Sequence, residues 1–311
     1  MHDSKQHGLS DCYESIIEGN FVKNKKYSLV ICPDSSSNDY RYHCDLYNKG
    51  IKVLVLDHHL APYISDYAVI INNQLSNYPN KELSGVGVTW QFCRYIDNML
   101  KVNYANDFLD LVALGLCGDM MSLKSFETRY LITKGFKKEN IKNPFIDYML
   151  EKNSFPLSKA DYAPSDSSMS CTSIGAAFFI VPFVNAITRT GTLEEKNLLF
   201  DAMLNHRAFQ EVLSNKKGHK LGEKEKLILQ AIRTVTNVKN RQTRAEEAGL
   251  KMLEQMIEQN HMLDHSILLF LLEPGQIDSE IRGLIANKFM AKYQKPCCLL
   301  TKNYKDNSIT Y

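Results

Sequence analysis

Ile51-Lys52-Val53-Leu54-Val55-Leu56-Asp57-His58-His59 is the stretch on which the reading of this chain turns. Six residues dominated by Val, Ile and Leu form a short β-favouring run, which stops abruptly at an acid and two imidazoles. Two similar runs flank it. Tyr27–Cys32 ends at Pro33-Asp34, and Tyr67–Ile71 ends at Asn72-Asn73. Between the first two runs, residues 39–49 are long enough for a crossover helix. The pattern predicts parallel βαβ architecture with strands buried on both faces. In such sheets chemistry collects beyond the carboxyl ends of the strands, where Asp34 and the Asp57–His59 triplet fall.

Outward from this core the signals become helical. They cover Gly85–Leu100, the nearly continuous apolar run Asp107–Cys117 that ends at Gly118-Asp119, and Phe126–Lys138. Residues 152–170 are rich in Ser, Pro and Asp and read as a linker or surface excursion. Thr172–Met203 is again apolar and helix-like around Pro182. Residues 221–262 form one long charged helical pattern, followed by a strand at Ser266–Leu272, a helix at Asp278–Tyr293 and a strand at Pro296–Leu300. The expected organisation is an α/β protein in three parts. They are a parallel-sheet domain over 1–205, a basic linker and connecting helix over 206–262, and a second, truncated α/β domain over 263–311.

Composition narrows the class. The chain has 311 residues, 44% of them apolar and 23% charged, which suits a folded globular protein and not a disordered or fibrous one. Runs such as Ile51–Leu56 and Ile267–Leu272 are too short to span a bilayer, so no membrane partner is expected. No basic-then-apolar leader opens the chain, and the eight cysteines show no CxxC pair. Together these predict a cytoplasmic protein with reduced thiols.

Asp34, Asp57, His58, His59 and Asp119 are the candidate site. Charged groups at a buried sheet edge need partners, and imidazole with carboxylates is a mixed N/O ligand set that suits Mn²⁺, while zinc and iron also accept it. On an extended segment the two histidines point opposite ways, so one can be a ligand while the other faces substrate. The competing structural reading makes Asp34 and Asp119 helix N-caps and satisfies the histidines with backbone carbonyls. Ser35–Ser37 lack a nucleophile elbow, and Gly85-x-Gly87 lacks the third glycine of a dinucleotide fingerprint.

Several segments together resemble the DHH phosphoesterase superfamily, and within it the RecJ-type single-strand-specific exonucleases. They are residues 33–39 (PDSSSND), 55–59 (VLDHH), 83–88 (LSGVGV) opening a helix, and 109–119 (LDLVALGLCGD). Weaker matches follow at 182–186, 240–242 and 282–286. The resemblance implies two metal ions, usually Mn²⁺ with Mg²⁺ as the alternative. It implies that Asp34 bridges both ions and that His58 and Asp119 bind one. His59 would face the scissile phosphate, while Asp57 supports the histidines. It also implies 5′-to-3′ hydrolysis of single-stranded DNA, with a place in DNA repair and recombination. Two features depart from the family. The Asp-x-Asp of its first motif is not found, and residues 2–10 resemble the segment that follows that motif. The Gly-rich and Gly-Gly-His-type motifs are not found either. The chain is therefore read as a fragment or reduced relative, with at most one well-liganded metal position and uncertain activity by itself.

Between Asn205 and Lys251 eleven Lys/Arg face five Glu. Lys216, Lys217, Lys220 and Arg241, with Arg189 upstream, are candidate contacts to a single-stranded nucleic acid, although a solvated helix face explains the charge equally. Tyr40, Tyr42, Tyr63 and Tyr78 near the strand ends are candidates for base stacking, with packing the simpler role. Two further functions are carried alongside the exonuclease. One is a phosphatase of oligoribonucleotides or small phosphoesters; the other is a non-catalytic nucleic-acid-binding or replication-associated relative. The sequence names no protein partner.

Overall fold

The three apolar runs become three parallel strands. In the structure, a computed structural model that describes residues 8–18, 27–303 and 308–310, helix α1 (Leu9–Glu18) precedes β1 (Leu29–Pro33), α2 (Tyr40–Asn48), β2 (Lys52–Asp57) and β3 (Val69–Asn72). The strand order is β1-β2-β3. Ile31 is paired with Leu54, which is paired with Val69. All three strands thus end together, bringing Asp34, Asp57 and Asn72 to one edge. The family-like segment at residues 2–7 lies outside the described residues.

The sheet is not buried on both faces. Cys32, Val53 and Val55 pack with Leu9, Ile16 and Leu46 of α1 and α2. The opposite face leaves Leu29, Ile31, Val69 and Ile71 exposed, with Ile31 at 53% and Val69 at 63%. The alternation that antiparallel sheets usually show is hidden here, because the uncovered face is also apolar.

Helices follow: α3 (Gly85–Leu100), α4 (Leu109–Gly118), α5 (Phe126–Gly135), α6 (Pro144–Lys152), α7 (Ser154–Leu157), α8 (Ser173–Phe179), α9 (Val181–Thr190), α10 (Leu193–Met203) and α11 (Asn205–Ala208). Helix α4 is buried almost all round, as its sequence predicted, and crosses α5 closely where Gly135 meets the Leu109 carbonyl and Ala113. Residues 173–190 are apolar and long enough by composition to cross a membrane. They form two helices broken at Ile180, whose side chain is fully buried.

A short antiparallel hairpin, β4 (Glu211–Leu213) and β5 (Lys224–Lys226), then leads into the 33-residue helix α12 (Leu227–Gln259). The expected helix over 221–262 starts later, because Lys224–Lys226 pairs as a strand. Then come β6 (Leu268–Leu272), α13 (Ser279–Tyr293), β7 (Cys297–Asn303) and β8 (Ser308–Thr310). Strands β6 and β7 are parallel and β8 is antiparallel to β7. The chain divides into two compact units, residues 1–185 with 192–232, and residues 186–191 with 233–311. The connecting segment expected at 206–262 is thus shared between them. The second unit has its own core of Leu253, Ile257, Phe270, Ile285 and Phe289.

Candidate metal centre

Asp34 leaves β1 still tied to the sheet, its N–H donating to the Leu56 carbonyl at 2.8 Å. It then turns sharply. Asp34 and Ser36 both have positive φ, 58° and 79°, a conformation that costs non-glycine residues on the order of 1–2 kcal/mol. Its carboxylate lies directly over Gly85 at the start of α3, where any Cβ would collide with it. Gly85 therefore serves to admit the Asp34 side chain.

Asp119 is the C-cap of α4, with its N–H bonded to the Gly115 carbonyl at 2.9 Å. Neither aspartate is an N-cap, so that structural reading fails. A carboxylate at a helix C-terminus meets the negative end of the helix dipole, an unfavourable placement that a bound cation relieves. The buried apolar body of α4 sets Asp119 at a fixed position.

His58 joins the two. Its Nε2 lies 3.3 Å from Asp34 Oδ1 and 3.2 Å from Asp119 Oδ2. The ring is mostly buried, while both carboxylates are open to solvent. The hydrogen bond to Asp34 raises the His58 pKa above its ordinary value. Burial opposes this, and the charges of Asp119, Asp34 and Asp57 reinforce it. The surplus of negative charge around one imidazole is the electrostatic signature of a cation site.

His59 does not point away from His58. The strand ends at Asp57, so the histidines sit in the following turn, with ring centroids 4.5 Å apart and inclined at 57°. His59 Nδ1 is 2.7 Å from Asp57 Oδ1, an assignment that puts the proton on Nδ1 and leaves Nε2 facing outward. Asp57 is 1% exposed. Besides the His59 ring, it accepts from the N–H groups of Ser37 (3.1 Å), His58 (2.8 Å) and His59 (3.3 Å). Burial raises its pKa, but these bonds outweigh that and hold it below the usual carboxylate value. Donor atoms of Asp34, Asp57, His58 and His59 all lie within 4.8 Å of one another. Three of the N–H donors to Asp57 share Oδ1, while Oδ2 accepts only that of Ser37. The set that fits a divalent cation is Asp34, His58 and Asp119, one position with three mixed N/O donors.

Asn72 was missed by sequence reasoning. It is 2% exposed and donates through Nδ2 to the His59 carbonyl at 2.8 Å and to Ser37 Oγ at 2.9 Å. It pairs in register with Asp57. One amide thus ties the loop after β1 to the turn after β2. The only sequence signal was an Asn at the end of an apolar run, which reads as an ordinary turn residue.

Lys216, Lys217 and Lys220 are exposed in the β4–β5 loop of the first unit. Arg189 and Arg241 belong to the second unit, and Arg241 NH2 donates to the Thr190 carbonyl at 3.3 Å. Of the tyrosines, Tyr42 packs on Tyr13. Tyr78 donates its hydroxyl proton to Glu127 at 2.8 Å, a structural role.

Residues 5–116 match the family model described as DHH family, N-terminal domain. A Bacillus subtilis (strain 168) protein named as an SPbeta prophage-derived single-strand DNA-specific exonuclease, YorK, is 34% identical over 306 residues. The match covers 97% of this chain and 48% of the relative. The single-stranded-DNA-specific exonuclease RecJ of Haemophilus influenzae is 34% identical over 112 residues, covering 32% of this chain and 19% of that protein. Among solved structures, RecJ in complex with Mn²⁺ from Thermus thermophilus superposes with a TM-score of 0.68 at 17% identity, covering 93% of this chain and 38% of that one. A manganese-bound exonuclease RecJ gives 0.66 at 18% identity, covering 93% of this chain and 63% of that one. The chain spans about half the length of the curated relatives it matches along most of its own length.

Proposed function

We propose that this chain, whose residues 5–116 match the DHH family N-terminal domain, hydrolyses phosphodiester bonds of single-stranded DNA, releasing nucleotides from the 5′ end. One observation carries this reading: His58 Nε2 stands within 3.3 Å of carboxylate oxygens from two separate elements, Asp34 after β1 and Asp119 after α4. Those three residues hold a divalent cation of the manganese or magnesium class. The cation, when bound, supplies Lewis acidity to a phosphate oxygen and makes water a better nucleophile at neutral pH.

The other residues handle position and protons. Asp57 keeps the proton on His59 Nδ1 and fixes the orientation of the ring. His59, so oriented, presents Nε2 towards a phosphate oxygen. Asn72 and Ser37 hold the turn that carries His59. The polarity of release and the preference for DNA over RNA rest on the family resemblance.

The test uses oligonucleotides labelled at either end, with Mn²⁺ or EDTA. We expect Mn²⁺-dependent release of the 5′ label, abolished by EDTA and by His58→Ala/Asp119→Ala. Release that survives the double substitution would place the chemistry elsewhere.

A further inference from the structure

Beside the metal centre the surface carries an aromatic track that the reading above does not use. Leu60, Tyr63 and Ile64 leave the His59 turn exposed to solvent. Within this loop Asn38 Nδ2 donates to the Leu60 carbonyl at 3.0 Å, pinning it to the segment that carries Asp34. Tyr63 contacts Tyr40, the first residue of α2, edge-on at 5.5 Å between centroids. Tyr40 contacts Tyr67 at 5.5 Å, and Tyr67 contacts Tyr47 at 5.5 Å. Four rings thus run in sequence from the carboxyl end of the sheet along α2. Tyr63, Tyr40 and Tyr47 are exposed, Tyr63 at 54% and Tyr47 at 58%.

Three physical facts limit what such a row is for. Core packing does not explain Tyr63 and Tyr47, which keep about half their surface in water. A contiguous exposed apolar patch marks a binding surface. The track also begins four residues after His59, and four residues reach at most about 14 Å, so an occupant of the track reaches the site. A single strand whose phosphate lies at His59 has unpaired bases with π-faces to shed from water, and aromatic side chains take up such bases irrespective of sequence.

We propose that Tyr63, Tyr40, Tyr67 and Tyr47 form the stacking platform for bases of the single-stranded substrate. This rests on the single-strand reading above and deepens it by assigning the base contacts to this side of the centre. Stacking on π-faces makes the grip sequence-tolerant, and a strand without bases loses it.

Binding of a fluorescent oligothymidylate in EDTA, followed by anisotropy, tests the platform without cleavage. The full chain is compared with Tyr63→Ala, Tyr47→Ala and Tyr63→Phe. An oligonucleotide of the same length with abasic sites serves as the second ligand. Each alanine variant is expected to weaken oligothymidylate binding about tenfold, with Tyr63→Phe close to wild type. On the abasic strand the alanine variants should match wild type, because the lost contact is to a base. Wild-type binding that the alanine substitutions leave unchanged overturns the platform alone and returns the rings to packing or to a protein partner. No binding by the unsubstituted chain overturns the single-strand reading together with it.

Discussion

Asp57 acts on the turn through hydrogen bonds. Its two oxygens gather four N–H donors from Ser37, His58 and His59, so its charge is spent on fixing the shape of the turn. Asp57→Asn replaces one acceptor by a donor facing those N–H groups, and should cost about 1–3 kcal/mol in urea unfolding at neutral pH. The sign of its pH dependence follows from the lowered folded pKa. The stabilisation is fully present above the unfolded value near 3.8 and is lost as pH falls through the folded value. The stability gap between wild type and Asp57→Asn should therefore shrink on acidification below about pH 4; a gap that stays constant on acidification would contradict the bond network. Gly85 makes a complementary case. A methyl group there displaces the Asp34 carboxylate, so Gly85→Ala should weaken Mn²⁺ binding at least about tenfold, read by electron paramagnetic resonance of the free ion. Unchanged affinity would remove Asp34 from the ligand set.

At the level of elements, the strands and long helices were legible because their apolar runs are bounded by turn residues. Residues 29–33, 52–57 and 69–72 lie within two residues of the expected spans, and Gly85–Leu100 matches. Helices α1 and α6 and strand β8 escaped, as did two further features. The β4–β5 hairpin has strands of three residues, one of them Lys224-Glu225-Lys226, and carries no periodic signal. Burial on both faces was inferred from uninterrupted apolar strands, yet the face opposite α1 and α2 is covered near Leu56 and leaves Leu29, Ile31, Val69 and Ile71 exposed. The asymmetry predicts unequal mutational costs. Leu46→Ala, in the covered core, should destabilise by about 2–5 kcal/mol. Ile31→Thr, on the open face of the neighbouring strand, should stay within about 0.5 kcal/mol. Equal losses in thermal unfolding would mean that the open face is covered in solution.

For the whole molecule, the convergence of positions 34, 58 and 119 is a tertiary fact that no local pattern encodes. Residue types pointed to a shared cation for the constellation and to an N-cap for Asp119 taken alone, and family resemblance named the three that meet. Charge presents the same difficulty in reverse. A net charge of only +2 conceals a local excess, and the fold divides that excess between two units. Lys216, Lys217 and Lys220 sit together in the exposed hairpin loop of the first. Arg241 in the second is engaged with the Thr190 carbonyl and is less available to a phosphate. Each phosphate contact on a single strand releases counterions and contributes about 0.7 to the slope of log K against log salt. If all three lysines meet phosphates, replacing them together by alanine should lower that slope by about 2, whereas Arg241→Ala should change it little. The measurement is oligothymidylate affinity across a potassium chloride series. Binding by the triple variant with an undiminished slope would show that the hairpin stays clear of the strand and that the phosphates are held elsewhere.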